Sequence, residues 1–104
     1  MEVKHEMTDE GTLVRVGGDV DMRSSPELRA VLLQACRQKD GRIIVDLADV
    51  RYIDSSGIAT LVECLKNCGR RGGTLTLTGV NERIYPVFEL AHLHTVFDIR
   101  RDGV

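Results

Sequence analysis

The stretch that decides the fold runs from a central strand into the second helix, and residues 42–58 read RIIVDLADVRYIDSSGI. Its beginning, RIIVDL, is the nearly unbroken apolar run that a strand covered on both faces requires. A short polar connection follows, and Ser55-Ser56-Gly57 begins a helix that extends to about Arg71. The stretch therefore predicts a buried strand whose polar end leads directly into a helix N-terminus.

The segments on either side of this stretch alternate between strand patterns and helix patterns. The predicted strands cover residues 2–7, 12–17, 42–47, 74–78 and 95–99. The predicted helices cover residues 24–40, 55–71 and 81–91. The order β-β-α-β-α-β-α-β predicts an α/β fold in which helices pack against a mixed β-sheet.

Length and composition limit the number of domains and the class of partner. The chain has 104 residues, about one domain's worth, and no linker or repeat interrupts it. We therefore expect a single domain over residues 1–104. Lys and Arg total 14 against 16 Asp and Glu, a net charge of −2. A nucleic-acid partner is not expected, because binding to phosphates selects a basic excess.

The expected compartment follows from what the sequence does not contain. The first seven residues, MEVKHEM, are too charged for the apolar segment of a signal peptide. Nowhere do about 18 apolar residues run together, so direct membrane insertion is not expected. The three cysteines are Cys36, Cys64 and Cys68, and we expect them to be reduced thiols. Together these features predict a cytoplasmic protein.

The N-terminus of the second predicted helix has the densest concentration of candidate chemistry. Unpaired backbone N–H groups at Ser55, Ser56, Gly57 and Ile58, with the helix dipole, would attract an anion. Because Gly57 lacks a Cβ, a partner could approach closely. A phosphate on Ser55 or Ser56 would add about −1.5 to −2 charges. The plainer alternative is that Ser55 only caps the helix. The charge of Asp54 favours a loop recognised by another protein over a simple anion site.

Three segments in register resemble the STAS domain family and, within it, the bacterial anti-sigma factor antagonists. They read GDVD at residues 18–21, SPEL at 25–28 and DLADVRYIDSSGI at 46–58. The likeness extends from about Thr12 to Ile99, so the core of the domain is expected at residues 12–99. The full set carries the resemblance, because a bare Ser-Ser-Gly is common in unrelated proteins.

The resemblance implies a protein–protein switch in transcription regulation and stress signalling, not an enzyme, and it implies no cofactor. In this family an anti-sigma factor, itself an ATP-dependent serine kinase, phosphorylates the first serine after the aspartate, here Ser55. The unphosphorylated form binds that kinase and thereby releases the sigma factor, and a serine phosphatase reverses the modification. The family's second contact loop corresponds to residues 18–21 and is expected beside Ser55. The implied partner-binding residues are Gly18, Asp21, Asp54, Ser55, Ser56 and Gly57.

Three other functions are weighed against this interpretation. A second branch of the family binds the ATPase of lipid-transporting ABC systems, with the same fold and no kinase cycle. A hydrolase would pair Ser55 with His92 or His94, but the Gly-x-Ser-x-Gly elbow is absent there. A metal site is not expected, because Cys64 and Cys68 supply two of the four ligands of a structural zinc and no neighbouring residue completes the set.

The C-terminal end departs from the family's pattern. Family members commonly carry a further helix after the last strand, whereas only residues 100–104 follow Ile99 here. The departure puts in doubt any dimer surface that such a helix would supply. We expect it to leave the third helix and Phe97 exposed, or paired with another chain, so a homodimer is a further partner that the sequence permits.

Overall fold

The computed structural model of the protein describes residues 1–38 and 41–100. Within these residues, the strands are β1 (Glu2–Thr8), β2 (Gly11–Val20), β3 (Arg42–Ile53), β4 (Thr74–Thr78) and β5 (Asp98–Arg100). The helices are α1 (Ser25–Cys36), α2 (Ser55–Arg70) and α3 (Tyr85–Leu90). The predicted α/β fold, with helices packed on a mixed sheet, is confirmed. Residues 101–104, on which the C-terminal expectation partly rests, lie outside the described residues.

The sheet brings the ends of its central strands to one edge. The strand order is β1-β2-β3-β4-β5, with β1 antiparallel to β2 and all later neighbours parallel. Because β2 and β3 are parallel, their last residues, Val20 and Ile53, lie together at what we call the carboxyl edge, whereas the last residue of β4, Thr78, pairs with Asp46 further back along β3. Val20 pairs with Ile53 across that edge. The chain enters α1 and α2 directly from it, which is where ligands and partners of parallel sheets commonly bind.

Strand β3 is longer than predicted, and its two faces are buried unequally. Ile43, Val45 and Leu47 are buried, whereas Ile44 and Asp46 between them are only half-buried. The prediction of a strand covered on both faces was wrong. Helices α1 and α2 pack against each other and against β3, so they cover the same face of the sheet.

The first and third helices are shorter than the sequence pattern indicated. Helix α1 ends at Cys36, where the Arg37 N–H donates to the Gln34 carbonyl, and not near residue 40. Helix α3 begins at Tyr85, after a turn at residues 82–84 that Asn81 holds in place. The Asn81 Nδ2 donates to the Val50 carbonyl at 2.9 Å, and its Oδ1 accepts from the Arg83 N–H. This side chain joins the start of α3 to β3.

One apolar cluster connects the sheet to the helices. Its C-terminal part includes Phe88 and Phe97, whose rings pack edge to face with centroids 5.8 Å apart. Phe97 is 4% exposed, so the expectation that it would be exposed was wrong. Leu90, by contrast, is 83% exposed, and that part of α3 faces solvent as expected. Across the described part of the chain, no helix combines the length and apolar character needed to cross a membrane.

Candidate functional site

Two segments meet at the carboxyl edge, the loop at residues 21–24 and the start of α2. The Asp54 N–H donates to the Val20 carbonyl at 3.1 Å, which continues the β2–β3 pairing past the last residue of β3. The Asp54 carboxylate also accepts from the backbone N–H of Met22. Asp54 therefore ties the 21–24 loop to the helix that begins beside it.

The 21–24 loop holds its shape through its own hydrogen bonds. The Asp21 Oδ1 accepts from the Arg23 N–H at 2.9 Å and from the Ser24 N–H at 3.3 Å. The Ser24 hydroxyl accepts from the Asp21 N–H and donates to the Asp19 carbonyl, both at 3.0 Å. Asp21 is thereby presented at the carboxyl edge in a fixed position, half-buried and close in sequence to the exposed Met22.

Helix α2 is capped by Asp54. Its Oδ1 accepts from the Ser56 N–H at 2.9 Å, from the Gly57 N–H at 3.2 Å and from the Ser56 hydroxyl at 2.6 Å. The Ser56 hydroxyl, with the backbone N–H groups of Gly57, Ser56 and Met22, lowers the pKa of Asp54 against a smaller opposing effect of burial. The interpretation of Ser55 as the cap was wrong.

The same geometry corrects the expectation of unpaired N–H groups at this helix end. Those of Ser56 and Gly57 bond to the Asp54 side chain, and the Ile58 N–H bonds to the Asp54 carbonyl at 3.0 Å. These donors are not available to an external anion.

The two adjacent serines have different surroundings. Ser55 is the first residue of α2 and is exposed, and its hydroxyl forms no hydrogen bond to any of the described residues. Ser56 is half-buried, and its hydroxyl donates to Asp54. Of the two candidate acceptors, Ser55 is the one whose oxygen is open to a second protein.

The two glycines of the site serve the backbone of this protein itself. A Cβ on Gly57 would lie 2.6 Å from the Ile53 Cγ1 and 2.8 Å from the Val20 Cγ1, so α2 can approach the strands only because that atom is missing. The expectation that Gly57 leaves space for a partner was wrong, because Gly57 is buried. Gly18 has a φ of +83°, which L-residues rarely adopt, and stands where the β2–β3 register shifts.

Two exposed apolar side chains lie beside these residues and were not singled out from the sequence. Met22 is 77% exposed in the 21–24 loop, and Tyr52 is 53% exposed near the end of β3. The signal available in the sequence was an apolar residue inside a polar loop, which by itself is common. Together with Asp21 and Asp54 they give the carboxyl edge a surface that is both apolar and acidic.

The histidines considered for a hydrolase lie apart from Ser55. Both follow α3, on the approach to β5, and His94 packs edge to face against Tyr85 with centroids 6.3 Å apart. No hydrogen bond within the described ranges, 1–38 and 41–100, joins Ser55 to His92 or His94. The arrangement that a serine hydrolase needs is therefore not assembled around Ser55.

The cysteines form a group that the sequence analysis did not foresee. Cys36 of α1 joins Cys64 and Cys68 of α2, and the three Sγ atoms lie within 4.8 Å of one another. The sequence spacing predicted proximity only for Cys64 and Cys68, because Cys36 is 28 residues from the nearer of them.

A comparison with protein families matches residues 3–100 to a family model described as "Mlab, STAS domain". Similar proteins carry the name anti-sigma-B factor antagonist. The one from Bacillus subtilis (strain 168) is 36% identical over 87 residues, covering 83% of this chain and 78% of that protein. The one from Listeria monocytogenes is 29% identical over 101 residues, covering 96% and 87%. These names denote antagonism of a factor and not a catalysed reaction.

Solved structures with the same fold carry related names. The anti-sigma factor antagonist SpoIIAA in its unphosphorylated form superimposes with a TM-score of 0.82 at 21% identity, covering 98% of this chain and 89% of that one. Its phosphorylated form gives 0.76 at 21% identity, with coverage of 98% and 92%. An anti-sigma factor antagonist from Mycobacterium paratuberculosis gives 0.84 at 20% identity, with coverage of 94% and 83%. At these identities the likeness establishes the fold alone.

Proposed function

The chain belongs to the STAS domain family, and from that premise we propose that it acts as an anti-sigma factor antagonist. Its unphosphorylated form binds an anti-sigma factor that is a serine kinase, and this binding releases the sigma factor. Phosphorylation of Ser55 ends the binding, and a serine phosphatase restores it. The cycle takes place in the cytoplasm and regulates transcription. The names of the curated relatives support the role of antagonist.

The observation that carries the proposal is the open hydroxyl of Ser55 at the carboxyl edge. A kinase needs an acceptor oxygen that it can reach, and Ser55 is exposed while the Ser56 hydroxyl is engaged by Asp54. Because Ser55 begins a helix held in place by the Asp54 cap, the acceptor is presented in one defined position.

Phosphate on Ser55 would change the surface more than the fold. The backbone N–H groups of Ser56 and Gly57, which would otherwise receive it, are bonded to the Asp54 carboxylate. The phosphate would therefore add about −1.5 to −2 charges beside Asp54 without gaining those two bonds. A partner that fits the neutral serine must then desolvate this charge, which weakens binding with no need for a large backbone movement.

The proposed partner surface consists of residues that contact the partner and residues that hold those contacting residues in position. Asp21, Asp54 and Ser55 present polar groups at the carboxyl edge, and we add the exposed Met22 and Tyr52 as its apolar contacts. Aromatic residues and Met are enriched in the centres of interfaces, where they exclude water from the polar contacts.

The remaining predicted members support this surface from behind. Gly18 permits the register shift in β2 two residues before its end, and Gly57 lets α2 approach Val20 and Ile53. Ser56 holds Asp54 in place through the 2.6 Å bond from its hydroxyl. Their substitution would act on binding through the position of Asp54 and Ser55.

The test is to identify the phosphorylated residue. The protein is isolated from its native cells under several stresses, and its intact mass and the peptides covering residues 52–66 are measured. We expect one phosphoryl group, located on Ser55. A Ser55→Ala variant should carry none, while Ser56→Ala, the matched control one residue away, should still be modified. Phosphate on Ser56, or modification that persists in Ser55→Ala, would contradict the assignment.

A second candidate function is a STAS subunit bound to the ATPase of a lipid-transport ABC system. The observation that favours it is the description of the matched family model, which carries the name Mlab. This role requires no phosphorylation. Affinity purification of the tagged protein from its own cells separates the two, because the first function predicts a co-purifying serine kinase and the second a transporter ATPase.

A further inference from the structure

The three cysteines converge where α1 and α2 pack together. Cys36 is the last residue of α1, and Cys64 and Cys68 stand one turn apart on α2. The Cys36 Sγ lies 3.9 Å from the Cys64 Sγ and 3.6 Å from the Cys68 Sγ. Each residue is at most 4% exposed, and all three thiols are free. The cluster is thus a preformed group of sulfur ligands in the interior.

We propose that Cys36, Cys64 and Cys68 form a binding site for a single zinc ion. Sulfur ligands stand about 2.3 Å from zinc, so two thiolates in a tetrahedral arrangement are about 3.8 Å apart. The measured separations of 3.9 and 3.6 Å from Cys36 match this spacing. Thiolate is also the ligand that selects such an ion over magnesium or calcium.

A crevice beside the cluster has room for a fourth ligand. It has a volume of about 10 Å³, and Cys36, Cys64, Thr60 and Asn67 are among its lining residues. That volume is about what one water molecule requires. A site with three protein ligands and one water is the arrangement of an open zinc site.

The charges and protons around the cluster are compatible with a doubly charged ion. The positive charge of Arg71 acts on the Cys36 thiol and favours its thiolate form. Zinc displaces the protons of the thiols that ligate it. Three thiolates and one zinc ion leave a net charge of −1 near Arg71.

This site is independent of the switch at Ser55. Cys64 lies nine residues along α2 from Ser55, about 14 Å along the helix axis. Bound zinc would join the end of α1 to α2 and leave the carboxyl edge as it is. Failure of either proposal would leave the other standing.

The test uses the full chain, reduced, freed of metal and titrated with Co²⁺ as a spectroscopic probe for zinc. We expect thiolate-to-cobalt charge-transfer bands that saturate at one equivalent and disappear when zinc is added. Imidazole ligation gives no such bands, so binding at His5, His92 or His94 is distinguished. Zinc should also raise the melting temperature.

Three variants and one control make the result specific. Cys36→Ala, Cys64→Ala and Cys68→Ala should each lose the bands and bind zinc at least about 100-fold more weakly. Ala35→Gly also disturbs α1 at a buried position but keeps every thiol, so it should retain the bands. Absence of the bands in the fully reduced wild-type chain, or bands unchanged in the cysteine variants, would overturn the proposal.

Discussion

The two neighbouring serines differ in their surroundings because only one of them is hydrogen-bonded to Asp54. Asp54 accepts hydrogen bonds from the backbone N–H and the hydroxyl of Ser56, and it leaves the Ser55 hydroxyl without a partner among the described residues. The same carboxylate caps α2 and reaches the backbone of Met22. A single side chain therefore caps the helix start, is bonded to the loop beside it and engages the hydroxyl of Ser56 but not that of Ser55.

A negative charge at Ser55 should weaken binding to the kinase partner. We expect Ser55→Asp to lower the affinity at least about tenfold, or about 1.4 kcal/mol, because the charge must be desolvated next to Asp54 and Asp21. Isothermal titration calorimetry measures the affinity of each variant for the kinase partner. Thr95→Asp makes the same change of charge at an exposed position before β5, away from the carboxyl edge, and should leave the affinity unchanged. Equal affinities for Ser55→Asp and the native chain would count against the switch.

Removal of the Asp54 carboxylate should destabilise the protein at neutral pH. Asp54→Ala removes the helix cap, and we expect the free energy of unfolding to fall by about 0.5–2 kcal/mol. Because the fold lowers the pKa of Asp54, its contribution is present above the ordinary value of 3.8 and is lost as pH falls through the lowered value. Urea unfolding at neutral and acidic pH measures the difference between variant and wild type.

That difference should be largest at neutral pH and should shrink on acidification. Asp49→Ala, which removes an exposed carboxylate from β3, is the control and should change stability little at either pH. A difference between Asp54→Ala and wild type that grows as pH falls would contradict the assigned role of the Asp54 charge.

At the scale of the element, α2 links the proposed phosphorylation site to the core. Its N-terminus carries Ser55, its buried face includes Ile58 and Leu61, and its packing on α1 is buried along its length. On the surface, Arg29 of α1 pairs with Glu63 of α2 through both carboxylate oxygens at 3.0 Å. Both side chains are substantially exposed, so this pair contributes at most about 1 kcal/mol. Apolar packing holds the two helices together.

Two glycines of α2 should respond in opposite directions to the same substitution. Gly57→Ala places a Cβ within 2.8 Å of Val20 and 2.6 Å of Ile53. We expect this overpacking to cost about 1–3 kcal/mol, more than the gain in helix propensity. Gly69→Ala meets nothing within 4 Å and should stabilise the helix by up to about 1 kcal/mol. Chemical denaturation of both variants measures the two changes in the free energy of unfolding. Destabilisation by Gly69→Ala equal to that by Gly57→Ala would contradict the packing argument.

At the scale of the whole molecule, the parallel sheet is what assembles the site. Residues 18–21 and 54–57 lie more than thirty residues apart in the chain, and the β2–β3 register brings Val20 beside Ile53. At the other end of the chain, Phe97 packs on Phe88 before β5 joins the sheet. Within the described residues, this contact makes Phe97 part of the buried core.

The packing of Phe97 on Phe88 should therefore contribute strongly to the stability of the protein. We expect Phe97→Ala to lower the free energy of unfolding by about 3–5 kcal/mol, because it opens a cavity beside Phe88. Val96→Ala changes the preceding residue, which is 54% exposed, and should cost no more than about 0.5 kcal/mol. Thermal and urea unfolding provide the comparison, and similar losses from both variants would mean that Phe97 is not part of the core.

The sequence by itself determined the order of the elements, the class of fold and the place of Ser55 at a helix start. These depend on local patterns, such as the alternation in TLTLT at β4 and the Asp54-Ser55-Ser56 sequence at which α2 begins. Local patterns can be recognised without knowledge of the rest of the chain. The family resemblance rested on the same kind of information, since its segments are read in register along the chain.

Only the tertiary structure decided how residues distant in sequence share space. Gly57 must lack a Cβ because Val20, on a different element, lies directly against it. The thiol cluster forms because α1 crosses α2 and brings Cys36 beside Cys64 and Cys68. Only one face of β3 is buried, likewise because α1 and α2 both pack on the same side of the sheet. Periodicity reports which side of an element is apolar, but the contacts of that side are set by packing between elements, which no local pattern contains.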